Sequence, residues 1–370
     1  MKPCSRNLIL SILKNEVTGG IAVIISCAIA LAVIWSVNLP IAWQKYKDPH
    51  HEQGLIAIIG GIFALVASGM TLVQIVGHFR HQIHRQSQKR MARILAIVPV
   101  YAITSWIAIL FFISAIYMDF IKSCFEAYVI YCFLLLLTKY LGGHRGVEQL
   151  LLGRDFVRLV FPFCCIKFQP HAKWVWYFKI GLLQYTWISP ICSAMAIVLN
   201  LANVYDNGEW KFNRGYPYII IIINISQILA LYSLIIFYVN TKHALKPFKP
   251  LPKFLVIKLI VFFIFWQSVL MSGLAKLGVL RNTTCDPATD VSCNGSTTGF
   301  TVEQEKILLE NILICVEMFF FAIAHHWIFG WKQYADGRLK QLMELRFREL
   351  NDNQEDVDQE ARNINSFYIC

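Results

Sequence analysis

The chain has 370 residues, 56% of them hydrophobic and only 15% charged, with a mean hydropathy of +0.52; a soluble chain averages about 25% charge. Charge is clumped between uncharged runs, several longer than the roughly 20 residues that an apolar helix needs to cross a bilayer core. This sets aside soluble enzymes, nucleic-acid binders and disordered chains, and the net charge of +11 reads first as loops facing anionic lipid.

In chain order, the uncharged runs predict eight spans: Val17 to Gln44, Gln53 to Phe79, Ile94 to Met118, Ala127 to Thr138, Ile180 to Tyr205, Gly215 to Thr241, Leu259 to Ala275 and Leu308 to Trp331. The fourth run is short, so its helix must take in Glu126 or Lys139 near an end. Lys258 and Lys276 bracket the seventh, and Glu317 lies inside the eighth. The first run is either a retained anchor or a signal peptide; its apolar stretch exceeds the 7–15 residues of a signal core, which favours the anchor.

Sorting Lys and Arg by alternate connections puts 26 of the 34 on the side of the N-terminus and 8 on the other. The positive-inside rule makes the first side cytosolic, with both termini there. The connection Gly278 to Gln304 on the opposite side carries sequons at Asn282 and Asn294 and a close cysteine pair, Cys285 and Cys293. Glycosylation and disulfide formation both belong to the lumenal or extracellular face, so these agree with the charge count. Unused sequons and free thiols are the alternative.

Between the fourth and fifth spans, Gly146 to Val160 has the spacing of an amphipathic surface helix. Cys164 and Cys165 follow, in a connection flanked by apolar and basic residues, as candidates for S-acylation or as two unmodified thiols. The chain then divides into a cytosolic N-terminus (1–16), an extra transmembrane helix or signal anchor (17–44), a transmembrane core (54–332), an amphipathic cytosolic helix (333–350) and an acidic disordered tail (351–370).

Ionisable groups within spans are costly and mark function by default. Glu317 could bind a cation, relay a proton or pair with a buried base. Glu126, at the lumenal start of the fourth span, could instead reach the headgroups. Gln184, Asn224, Gln227 and Gln267 lie at membrane depth and need partners, from another helix or from a substrate. Pro190 should kink the fifth span. His325 and His326 are adjacent, hence about 100° apart on a helix, and cannot both face one ion. No HExxH, CxxC pair or carboxylate cluster supports a metal, and no Walker loop or GxSxG supports an ATP-driven pump or hydrolase. The chain is therefore expected to be neither an enzyme nor a cofactor protein.

Several segments together resemble the organic solute transporter alpha / transmembrane protein 184 family. They are Arg93-Ile94-Leu95-Ala96-Ile97-Val98-Pro99-Val100-Tyr101-Ala102, Glu126-Ala127-Tyr128-Val129-Ile130-Tyr131, and Leu183-Gln184-Tyr185 with Pro190. Further along stand Lys253 to Leu259 with Phe265-Trp266-Gln267, and Glu317-Met318-Phe319 with Ala322 to His326. The extra N-terminal span looks closer to the transmembrane protein 184 branch. One departure is Thr104-Ser105-Trp106, where the family usually has Asp-Ser-Trp; this puts any cation or proton coupling through that acid in doubt.

The resemblance implies an all-α polytopic membrane protein, a seven-helix core to which this chain adds one N-terminal transmembrane helix. It implies facilitated movement or binding of amphipathic lipids or sterol- and bile-acid-like conjugates. Glu317, Gln267, Trp266, Gln184, Glu126 and Tyr131 would line the site, with acylated Cys164 and Cys165 beside it. The partners it implies are membrane lipids, an amphipathic sterol-like ligand, and a single-span subunit or a second copy, with no nucleic acid. The expected location is the plasma membrane or endosomal/lysosomal membranes. The rival reading is a non-transporting organiser or trafficking factor of endosomal or vacuolar membranes. A seven-helix receptor lacks support, because no DRY-type or NPxxY-type motif is present.

Overall fold

The computed structural model describes residues 29, 32–46, 51–80, 85–152, 157–158, 167–169, 174–202, 204–205, 211–280 and 301–330. Cys164, Cys165, Asn282, Asn294, Cys285, Cys293 and the segments 333–350 and 351–370 lie outside them, as does half of 17–44.

The described chain is helical: α1 (32–46), α2 (His51–Arg80), α3 (Arg85–Leu95), α4 (Ile97–Leu110), α5 (Ala115–Tyr140), α6 (Gly143–Leu152), α7 (Trp174–Leu201), α8 (Tyr216–Leu245), α9 (Pro250–Lys276) and α10 (Val302–Ile328). A two-residue antiparallel pairing sets Val157 against Phe168 and Arg158 against Lys167. Among the described residues, seven helical stretches are long and apolar enough to span a bilayer, the first Gln53–Arg80 and the last Val302–Ile328. The core of seven spans is thus present; the described part of the expected N-terminal span is α1.

Three differences from expectation bear on the site. The run Ile94 to Met118 is not one helix: α4 ends at Leu110, Phe111 is extended (φ −133°, ψ 92°), and a 3-10 turn occupies Phe112–Ser114 before α5. The turn holds no charge, so hydropathy could not see it. Lys45 stabilises the end, its Nζ donating to the Leu110 carbonyl at 2.6 Å, where the unpaired carbonyls of a helix C-terminus favour a cation. In consequence Glu126 is the twelfth of 26 residues in α5, at mid-helix and not at its start. The third difference is α9, which begins at Pro250 and makes Lys258 an intrahelical residue, the ninth of 27. Proline favours a first helical position because its missing N–H is unpaired there anyway.

Pro190 lies inside an uninterrupted α7. The predicted amphipathic segment starts earlier and stops sooner, as α6, which buries Gly146, Val147 and Leu151. Its tight connection to α5 uses Gly142 and Gly143 at φ 92° and 90°, values that L side chains rarely adopt.

The chain forms two compact units. The first comprises Met1–Arg80, Val98–Met118 and Leu259–Trp327; the second comprises His81–Ile97, Asp119–Lys258 and Ile328–Cys370. In the first, Trp106 is fully buried, donates Nε1–H to the Ala57 carbonyl at 2.8 Å and stacks on Trp35 at 4.1 Å. A Cβ on Gly61 would stand 2.9 Å from that indole nitrogen, so glycine lets α2 approach the ring. In the second, Phe178 of α7 meets Phe237 of α8 edge-on at 5.7 Å, and Tyr140 stacks on Phe248 at 4.4 Å beneath the Lys253 ammonium. A Cβ on Gly181 would lie 2.1 Å from Ser233 Oγ, so α7 and α8 also meet through a glycine.

Candidate functional site in the transmembrane spans

In the second unit, three helices bring polar side chains to Glu126 of α5. Tyr185 of α7 donates its hydroxyl to Glu126 Oε1 at 3.2 Å, and Gln227 of α8 donates Nε2–H to the same oxygen at 3.3 Å. Lys258 of α9 places Nζ 3.9 Å from that oxygen, and the two charged side chains are only 15% and 12% exposed. Tyr185 and Ser189 are four residues apart, hence on one face of α7, and Ser189 Oγ donates to the Ser123 carbonyl at 3.4 Å, one turn from Glu126. A charge held in a span needs a counter-charge or donors. Glu126 has both. Lys258 has only the ion pair: 3.9 Å is too long for a hydrogen bond, and its buried Nζ has no hydrogen-bond partner among the described residues.

Gln184 is held beside this cluster. Its Nε2 donates to the Ser226 carbonyl at 2.8 Å, and its Oε1 accepts from Ser226 Oγ at 2.8 Å. The Nε2 group also donates to the Gly181 carbonyl of its own helix at 3.3 Å, so the amide is used within the protein, in a reciprocal clasp between α7 and α8. Asn224 bonds locally, to the Ile220 carbonyl one turn back.

In the first unit, Gln267 of α9 donates Nε2–H to Glu317 Oε1 of α10. One turn away on the same two faces, Phe263 meets Phe321 at 6.1 Å. Glu317 Oε2 and Gln267 Oε1 are both buried and accept no hydrogen bond among the described residues. Two acceptor oxygens so placed suit a ligand hydroxyl, a proton or a cation. Trp266, next along α9, is 53% exposed and packs on Phe262 and Phe265 of its own helix, so it does not join this pair. Thr104, where the family's acid is missing, donates back to the Val100 carbonyl at 2.7 Å. His325 is buried, with its carbonyl accepting from Gln74 Nε2 at 2.8 Å, while His326 is exposed.

The expected site residues therefore fall into two groups: Glu126 with Gln184 nearby in one unit, Glu317 with Gln267 in the other. Tyr131, five residues beyond Glu126, is rotated about 140° around α5 and points elsewhere. Lys258 and the Tyr185 hydroxyl were missed as site groups. Lys258 was counted as a loop residue, although Pro250-Leu251-Pro252 gave a start signal eight residues before it.

No solved structure matches the chain. Residues 56–334 match the family model described as organic solute transporter Ostalpha, a stretch that takes in all seven spans almost completely. The match does not separate the transporter subunit from the transmembrane protein 184 branch. A multi-pass membrane chain matched over most of its length in this way belongs to the organic solute transporter Ostalpha family, a family of membrane solute transporters rather than of enzymes.

Proposed function

We propose that the protein moves amphipathic lipids or sterol- and bile-acid-like conjugates across its membrane by facilitated diffusion. The observation that carries this reading is the polar set around Glu126, in which Tyr185, Gln227 and Lys258 meet one carboxylate inside otherwise apolar spans. Buried polar groups facing one another at membrane depth mark solute paths more often than static packing, because an apolar core would be cheaper to build. Glu317 and Gln267 form the second polar station, with two acceptors left for a ligand donor. Gln184 contributes by clasping α7 to α8. The absence of a nucleotide-binding motif in the sequence supports gradient-driven movement. In this reading the termini are cytosolic, and Cys164 and Cys165 carry acyl chains.

The test is uptake of a labelled sterol conjugate into proteoliposomes, with an unlabelled conjugate inside to reveal counterflow. Counterflow is expected, and Glu317→Gln should slow it several-fold. Unchanged flux in that variant removes Glu317 from the path. No flux from well-folded wild type gives the function to the non-transporting organiser.

A further inference from the structure

Lys258 is the feature the sequence misplaced and the transport reading leaves unexplained. It is the ninth residue of α9, so its Cα lies about 12 Å along the helix from Pro250. A lysine side chain extends about half that distance, too short to take its ammonium out to the helix end as interfacial lysines do. Its Nζ is buried, and none of its three N–H donors is engaged among the described residues. The single carboxylate paired with it stands off at 3.9 Å. That carboxylate is separately satisfied, since Tyr185 and Gln227 donate to the same oxygen at 3.2 and 3.3 Å. The pair is thus asymmetric. Glu126 keeps two neutral donors if Lys258 turns away, whereas Lys258 has no other partner among the described residues. A closed structural salt bridge would show the reverse, a short contact with the ammonium's protons taken up by oxygen.

We infer that Lys258 is the counter-ion for a negatively charged headgroup on the carried solute, a sulfate or carboxylate, and that Glu126 stands in for that headgroup when the site is empty. The inference rests on the transport reading for its ligand. A sulfate or carboxylate oxygen can approach an ammonium to about 2.8 Å, closer than Glu126 now stands, and so supplies the acceptor Lys258 lacks. Glu126 then faces a like charge, and its two donors are what make that tolerable. It sets a threshold: neutral amphipaths cannot displace it, and anionic ones bind against its repulsion.

Removing the competing charge should therefore improve binding of the anion. The experiment measures equilibrium binding of a fluorescent sulfated sterol, its uncharged parent sterol and inorganic sulfate to the full chain in lipid nanodiscs. Wild type should prefer the sulfated sterol over the parent. Glu126→Gln should tighten the sulfated sterol by about tenfold while leaving the parent unchanged, a gain that misfolding cannot produce. Lys258→Gln should abolish the preference, and Lys258→Arg should keep it. A preference that survives Lys258→Gln, or a Glu126→Gln variant that binds the sulfated sterol no better, overturns the inference. Inorganic sulfate displacing the sterol at equal concentration also overturns it, since the site would then read a free anion and not a headgroup. Lys258-dependent binding without any proteoliposome flux would sink the transport reading alone, and flux with a Lys258-independent preference would sink this inference alone.

Discussion

The clasp between Gln184 and Ser226 distinguishes a residue that holds helices together from one that touches solute. Ser226→Ala removes the Oγ donor and leaves Gln184 Oε1 without its 2.8 Å partner, while the bond from Nε2 to the Ser226 carbonyl remains. Gln184→Met, of similar length, removes both bonds to Ser226, together with the longer 3.3 Å bond to the Gly181 carbonyl of its own helix. Side-chain hydrogen bonds between transmembrane helices are worth about 0.6 kcal/mol on average and up to about 1.7. One lost bond at this short distance should cost about 1 kcal/mol, two about 2. The double variant should cost no more than Gln184→Met alone, because the serine donor has then lost its acceptor already. The expected coupling is therefore about 1 kcal/mol, or about fivefold in the folding equilibrium. Reversible unfolding in mixed micelles measures it, and proteoliposome uptake of the four proteins completes the cycle. Half-saturation for the solute should stay at the wild-type value throughout. Additive stabilities, or a Gln184→Met variant of normal stability whose solute affinity has fallen, would refute the clasp and make Gln184 a binding residue.

Other outcomes follow from the same geometry. Gly61→Ala drives a methyl against the buried Trp106 indole, 2.9 Å from its nitrogen, and should cost about 1–3 kcal/mol by overpacking; the cost should shrink in a Trp106→Phe background, as thermal unfolding of the purified chain will tell. Tyr185→Phe withdraws one of the two neutral donors from Glu126 and should weaken discrimination between anionic and neutral solutes more than it lowers maximal flux. Tyr205, between the spans, is 6% exposed; burial, then Tyr216 and Asp119, raise its phenol above the ordinary range. Its folded form stays neutral while an unfolded tyrosine ionises near pH 10, so its contribution is full below about pH 10 and is lost as pH rises above it. Comparing melting at pH 8 and 11, the alkaline fall should be smaller for Tyr205→Phe than for wild type.

The sequence made most of the spans readable because each of those helices is an apolar run closed by charge. Where that coincidence fails, so does the reading. Phe111 to Ser114 turns the chain with no charged or glycine residue, and Lys258 puts a charge inside a helix that begins eight residues earlier. Glu317 and Glu126 stood out because carboxylates in apolar runs are conspicuous. Their partners did not, since Tyr185, Gln227 and Lys258 lie 59, 101 and 132 residues from Glu126 and pairing over such separations has no local signature. Gln184 looked the same as a ligand-binding amide until its bonds to Ser226 were seen.

The apolar turn after α4 also decides how the protein's topology can be mapped. Ile113 is 89% exposed and Phe111 is 41% exposed, side chains that prefer the edge of the hydrocarbon to water. A sequon, protease site or epitope tag inserted there would sit too near the membrane to be glycosylated, cut or bound, whichever compartment it faced. Silence from a reporter at 111–114 therefore carries no information about sidedness, and reporters belong in the wider polar connections, such as the one after Leu201.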